Sequence, residues 1–235
     1  MSQASYHLYR WLWGSLDLLF PPSCGGCGQH GNLRCGDCQK KVKYLRTALC
    51  TICGQPWDYP GLCANCVRSK PDFTELRSWA LYEGPVREAI RNLKYRRSMS
   101  LGIVLSKPLY ELFLELGWQI DAVVPVPLGV ARLKERGYNQ ATLIAKPLAL
   151  RIGKPCLSKG LSRVRETRTQ VGLSFIQRRE NVEGAFRGLE RFVSGQQLLV
   201  LDDVATSSAT LNSCAQALLE AGSKEVKCLT LARAN

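Results

Sequence analysis

The chain has 235 residues, 46% of them hydrophobic and 22% charged, with a formal net charge of +13. Its length and apolar content allow a buried core in one large or two modest domains, so disorder is not the default reading. The basic excess favours polyanionic partners such as nucleic acid, phosphates or anionic lipid without choosing among them, and an inert basic surface is the alternative.

Residues 1–22 read as an N-terminal amphipathic helix. "YHLYRWLWGSLDLLF" (Tyr6–Phe20) is apolar but broken by Arg10 and Asp17, lacks a small-residue cleavage site and runs into "PPSC". It fits neither a secretory signal nor a membrane span, so a cytoplasmic protein is expected. Trp11, Trp13 and Phe20 offer either packing on the protein itself or contact with a membrane or partner.

Residues 23–70 hold eight of the eleven cysteines, spaced as four C-x-x-C pairs: Cys24/Cys27, Cys35/Cys38, Cys50/Cys53 and Cys63/Cys66. Each pair is a knuckle that puts two thiolates on one ion, and two knuckles complete the tetrahedral sulfur shell of a structural zinc. Four pairs predict two zinc ions. Glycines beside the knuckles, Gly28, Gly36 and Gly54, suit their tight turns. A disulfide framework fits poorly without secretion. Sequential pairing (24/27/35/38 and 50/53/63/66) closes the shorter loops and is expected; interleaved pairing is the alternative. Four thiolates leave no open position, so these zincs are structural, and they let a short segment with little core fold.

"SKPDF" (69–73) marks the boundary, since Lys70 before Pro71 disfavours helix. Residues 71–235 then alternate strand and helix: strand 76–82, helix 85–95 opening with Pro85, helix 105–117 stopped by Gly117, strand 121–128, helix about 138–152 with a kink at Pro147, strand 196–203, a helix closed by Gly222, and a final strand 225–233. This alternation predicts an α/β domain with a parallel sheet.

"LLVLDDVATSSATL" (198–211) carries the chemistry. The strand delivers Asp202 and Asp203 to the carboxyl edge of the sheet, where open α/β sheets bind ligands. The following loop and the helix from about Thr210 aim backbone N–H groups at one point, with Thr206, Ser207, Ser208 and Thr210 as hydroxyl donors, a cradle for a phosphate. The two carboxylates can accept from vicinal ribose hydroxyls, directly or through magnesium. An ordinary turn with a capped helix is the competing reading.

"VLDDVATSSAT" resembles the phosphoribosyl-pyrophosphate (PRPP) motif of type I phosphoribosyltransferases. Together with "VVPVPLGVARLKERGYNQA" (123–141), "LSRVRETRTQVGLSFIQRRENVEGAF" (161–186) and the paired cysteines after "LDLLFPPSC", it resembles the ComF family over nearly the whole chain. That family includes competence proteins of natural transformation and related proteins linked to gluconate use. The resemblance implies a double zinc ribbon on a type I phosphoribosyltransferase-like domain. It implies that Asp202 and Asp203 hold ribose hydroxyls, that Thr206 to Thr210 hold the 5′-phosphate, and that Val204 and Ala205 between them belong to the PRPP-binding stretch. "VPVPL", with Pro125, Val126 and Pro127, matches a pyrophosphate loop that uses a strained or cis peptide. Arg132 and Arg136 offer guanidinium forks to phosphate oxygens, or else line a solvated helix face. "RVRETRTQ" resembles the mobile flap that closes over PRPP, with Arg163, Arg165, Thr167, Arg168, Thr169 and Gln170, anchored through Arg178, Arg179 and Asn181. Ser208 stands where the common motif has glycine. If its φ is positive the serine is strained; if not, it adds a hydroxyl to the cup.

Two function classes stay open. An enzyme would transfer phosphoribose from PRPP to a nitrogen nucleophile with Mg²⁺, on an acceptor that no residue identifies. A binding protein would use PRPP or another phosphorylated ribose while handling single-stranded DNA at the inner side of the membrane, beside the DNA-uptake machinery. Basic clusters interleaved with aromatics suit single strands: Arg91, Lys94, Tyr95, Arg96 and Arg97 in one, Lys40, Lys41 and Lys43 with Tyr44 in the other. Each also reads as a solvated face. The resemblance favours the DNA-handling class.

Overall fold

A computed structural model describes residues 23–30, 35–46, 48–96, 98–167 and 175–234. The expected helix of residues 1–22 lies outside the described residues. Among them, no helix is long and apolar enough to cross a membrane.

Four strands form the central sheet: β1 (Glu75–Leu81), β2 (Ala122–Pro125), β5 (Gln197–Ala205) and β6 (Glu225–Arg233). Their order is β1-β6-β5-β2 and every pairing is parallel. Beyond β2, Val123 pairs with the extended chain at Cys156, as its N–H donates to Pro155 O (2.9 Å) and its carbonyl accepts from Leu157 N–H (2.8 Å). β5 reads as an unbroken apolar run because a central parallel strand is covered on both faces. Its even residues, Leu198 and Val200, pack with Val226, Cys228 and Cys214. Its odd residues, Leu199 and Leu201, pack with Leu229, Leu231 and Ile144.

Helices α3 (Gly84–Tyr95), α4 (Leu101–Leu116) and α6 (Gln140–Ile152) supply buried side chains to the odd face. Helix α9 (Ala209–Glu220) crosses the even face between β5 and β6. Two short strands, β3 (Leu161–Arg163) and β4 (Phe186–Gly188), form an antiparallel ribbon beside it; Gly188 comes so close that an added Cβ would lie 2.5 Å from Ala217 O. The remaining helices are short: α1 (Gly36–Lys40), α2 (Ala64–Arg68), α5 (Val130–Arg136), α7 (Phe175–Val182) and α8 (Glu190–Val193).

The strands and helices of the α/β domain thus follow the sequence expectation, with shifts at the ends. Helix α4 begins at Leu101 rather than 105, and β5 runs on through the acids to Ala205. The β3–β4 ribbon had no strong pattern, because three-residue strands carry too little alternation to register.

The cysteine-rich segment folds onto the open edge of this sheet. Between its two halves, residues 43–45 run antiparallel to β1: Leu45 N–H donates to Trp79 O (3.2 Å) and Leu81 N–H to Lys43 O (2.9 Å). An unpaired edge strand invites association with other chains, and here the segment covers it. The first pair of knuckles lies on the α3 side, where Asn92 Nδ2 donates to Gly25 O (2.8 Å) and Cys38 and Cys24 are buried near Pro85 and Ala89. The second pair lies on the other face, its four cysteines buried with Phe73 and Leu76. There Leu76 N–H donates to Ile52 O (2.7 Å).

Gly54 makes that second contact fit. Its φ is +64°, and a Cβ would lie 2.3 Å from Leu76 O. Gly54→Ala therefore meets both backbone strain and a main-chain clash, and should cost about 2–3 kcal/mol of stability. Urea denaturation at saturating zinc checks this; an unchanged midpoint contradicts the packing.

Candidate functional site

The sulfurs of Cys24, Cys27, Cys35 and Cys38 lie within 4.8 Å of one another, as do those of Cys50, Cys53, Cys63 and Cys66. Pairing is sequential, as the shorter loops favoured. At a zinc–sulfur bond of about 2.3 Å, a tetrahedral shell places neighbouring sulfurs about 3.8 Å apart. Cys27 Sγ to Cys35 Sγ and Cys53 Sγ to Cys63 Sγ are each 3.7 Å. Backbone N–H groups of Cys35 and Cys63 point at Cys24 Sγ (3.4 Å) and Cys50 Sγ (3.3 Å), as thiolate ligands require. These are two zinc-binding sites of four cysteines each.

A second feature is a cleft of about 500 Å³ at the carboxyl ends of the strands. Thirteen of the residues read from the sequence as its ligand site line it: Asp202, Asp203, Val204, Ala205, Thr206, Ser208, Thr210, Val126, Pro127, Arg132, Arg136, Arg163 and Thr167. Pro125 is buried within β2, and Ser207 turns its Oγ into the protein, where it is buried without a hydrogen-bond partner among the described residues.

The adjacent acids diverge, since successive strand residues face opposite sides of a sheet. Asp203 is buried on the α3 face, where Lys94 Nζ lies 2.9 Å from its Oδ2. A charge so desolvated needs such a partner. Asp202 faces the other side, half-buried, its Oδ1 accepting from the Asp203 N–H (2.8 Å). Burial, joined by the charge of Asp203, pushes the Asp202 carboxyl up to about 7, against the pull of Lys94. Asp202 is thus the acid that carries no cation partner of its own within salt-bridge distance among the described residues and faces the cleft.

Lys94, expected on a basic surface, is therefore a cleft residue. The signal was present: Val86, Ile90 and Lys94 follow at i, i+4 and i+8, so Lys94 falls within the buried stripe of α3. The rest of that cluster stays outside. Tyr95 is 65% exposed at the cleft rim, with the Arg136 guanidinium 5.0 Å from its ring centre. Arg91 and Arg96 are exposed, Arg91 beside Glu88 (3.5 Å); Arg97 lies outside the described residues. Lys40, Lys41 and Lys43 are exposed, and Lys43 pairs with Glu83 at 2.8 Å.

The turn after β5 answers the question about Ser208. Its φ is +62° and ψ 5°, the left-handed region, where a serine costs about 1–2 kcal/mol relative to glycine. Ser208 O accepts from Asn212 N–H (2.9 Å), starting α9. By contrast, the "VPVPL" segment shows no strain. No peptide is cis among the described residues, and no residue of this segment has positive φ. Val126 N–H donates to Leu201 O (2.9 Å) and its carbonyl accepts from Asn139 Nδ2 (2.9 Å), so the sheet register extends through the loop and that amide is already used.

Across the cleft, Arg136 Nη1 donates to Gln140 Oε1 (2.9 Å). Glu166 lies over the start of α5, its Oε1 accepting from Ala131 N–H (3.4 Å), and this fixes the helix that carries Arg132 and Arg136. Arg163 donates to Thr167 Oγ1 and stacks on Phe186. Arg165 departs from the flap expectation: its Nη2 donates away from the cleft, to the carbonyls of Glu183 (2.5 Å) and Asn181 (3.2 Å). It anchors the ribbon to the end of α7. Arg168, Thr169, Gln170 and the side chains of Arg178 and Arg179 lie outside the described residues.

Comparison with known proteins bears on both features. A family model described as a double zinc ribbon domain matches residues 15–67. DNA utilization protein YhgH of Salmonella typhimurium is 35% identical over 205 residues, 85% of this chain and 89% of that protein. Competence protein F of Haemophilus influenzae is 31% identical over 208 residues, 85% and 90% respectively. Among solved structures, glutamine phosphoribosylpyrophosphate (PRPP) amidotransferase from B. subtilis, complexed with ADP and GMP, is similar at a TM-score of 0.37 and 22% identity, over 56% of this chain and 25% of that one.

The raised Asp202 carboxyl has a consequence for stability. The folded chain keeps that proton up to about pH 7, while the unfolded chain loses it in the ordinary carboxylate range. Folding is therefore progressively disfavoured as pH rises through that interval, and the loss is complete above 7. Asp202→Asn removes it and should make the protein more stable at pH 8, with little change at pH 4. Thermal melts at the two pH values check this; a variant no more stable than its parent at pH 8 contradicts the assignment.

Proposed function

Because the chain belongs to the ComF family, whose members join a double zinc ribbon to a phosphoribosyltransferase-like domain, we propose that it is a DNA-utilisation protein whose cleft binds PRPP or another phosphorylated ribose. The observation that carries the reading is the convergence of Asp202 and the 205–210 turn with Arg132, Arg136, Arg163 and Lys94 in one cleft. Lys94 neutralises one acid, and three guanidinium groups outweigh the other together with Glu135, so the cleft favours a polyanion. Asp202 would hold the ribose hydroxyls and the shared magnesium, the turn the 5′-phosphate, and the arginines the pyrophosphate oxygens.

The names of the relatives support a role in DNA utilisation or competence. Single-stranded DNA would run over the exposed lysines 40, 41 and 43 and the Arg91–Arg96 surface, with Tyr95 as a stacking ring at the cleft rim. An active phosphoribosyltransferase is the second reading. The arginines, Asp202 and the 205–210 turn around the cleft favour it, but no described residue of the cleft marks an acceptor base.

Calorimetry with PRPP and Mg²⁺ tests the site: the parent should bind and Asp202→Asn/Asp203→Asn should not, while equal binding by the double variant refutes it. Affinity for a single-stranded oligonucleotide should fall about tenfold or more between 50 and 200 mM salt, roughly as several phosphate contacts require; a flat dependence argues against DNA handling. Pyrophosphate release with a common base would promote the transferase reading.

A further inference from the structure

The left-handed serine of the turn and the second zinc site meet at one side chain. Arg233 ends β6 at the carboxyl edge of the sheet and is 4% exposed. Its main chain is clamped between neighbours: its carbonyl accepts from Tyr82 N–H (2.7 Å), and the next residue, Ala234, donates to Ala205 O (2.9 Å). Its guanidinium then reaches both ways. Nη1 donates to the carbonyl of Cys53 (2.7 Å), within the Cys50/Cys53 knuckle of the second zinc site, and Nη2 lies 3.5 Å from Ser208 Oγ. Burial lowers the pKa of the Arg233 guanidinium, against the four thiolates of the second zinc site, which favour the cation. The knuckle itself is pinned, because Gly54 sits against Leu76 O and Leu76 N–H against Ile52 O.

We propose that Arg233 is a positioning residue through which the second zinc site holds Ser208, in the 205–210 turn, in its left-handed conformation. The inference extends the phosphate-binding reading of the cleft to its control. Glycine adopts positive φ freely, whereas a serine there needs an outside hold. Arg233 supplies it from a carbonyl whose position depends on a formed zinc knuckle. Occupancy of a buried structural metal site is thereby coupled to the shape of the phosphate turn, though no thiolate faces the ligand.

Amide hydrogen exchange on the zinc-loaded, ligand-free protein tests this whether or not PRPP binds. Ser208→Ala keeps the strained Cβ but loses the contact, so amides 206–210 should exchange at least tenfold faster. Ser208→Gly removes strain and contact together and should leave them near the parent rate. Arg233→Met should match Ser208→Ala while retaining two zinc ions per chain, and Arg233→Lys should restore part of the protection. If Ser208→Ala and Arg233→Met both exchange like the parent, the coupling is refuted. If Arg233→Met loses its zinc, the serine pair decides alone: equal rates in Ser208→Ala and Ser208→Gly also refute it. Failure of PRPP binding with these exchange differences intact would overturn only the ligand reading. Where PRPP does bind, Ser208→Ala should weaken it about tenfold.

Discussion

A buried carboxylate must be paired, and at the end of β5 that requirement organises the molecule. Asp203 lies on the core side of the sheet edge with Lys94 against it. The pair fixes α3 against β5 and closes one wall of the cleft. It also leaves Asp202, the other acid, as the carboxylate available to a ligand. Removing the lysine alone would strand a buried charge, a loss of about 3–5 kcal/mol. Two adjacent acids of one sequence motif thus take different roles because strand geometry sends them to opposite faces.

The zinc segment then appears as part of the cleft's frame. Its first knuckles rest on α3, which carries Lys94. Its second knuckles rest on β1 and, through Arg233, meet the turn that follows β5. Residues 43–45 between them seal the edge of β1. The two metal sites therefore brace opposite faces of the same sheet edge. A segment too short to build a core of its own borrows the sheet's core, and the sheet gains a covered edge.

What could be read in the sequence was what depends on local pattern. Paired cysteines predicted two four-sulfur sites, and their loop lengths favoured the sequential order that the structure shows. The apolar run of β5 ending in acids placed the cleft at the carboxyl edge. What could not be read depends on contacts distant along the chain. Lys94 looked like a surface charge because its partner lies on β5, although its helical spacing from Val86 and Ile90 put it on the buried stripe. The conformation of Ser208 rests on a neighbour from β6, so no local rule distinguishes strain from an extra hydroxyl. Arg165 lies in a loosely alternating basic stretch, and only the fold of the β3–β4 ribbon turns it toward the carbonyls of residues 181 and 183.

The central claim is that the turn after β5 is where a phosphorylated ribose sits. Backbone amide resonances followed while PRPP and Mg²⁺ are added test it residue by residue. The account predicts saturable shifts at residues 202–210. A titration that moves other amides and leaves 206–210 unperturbed would contradict it.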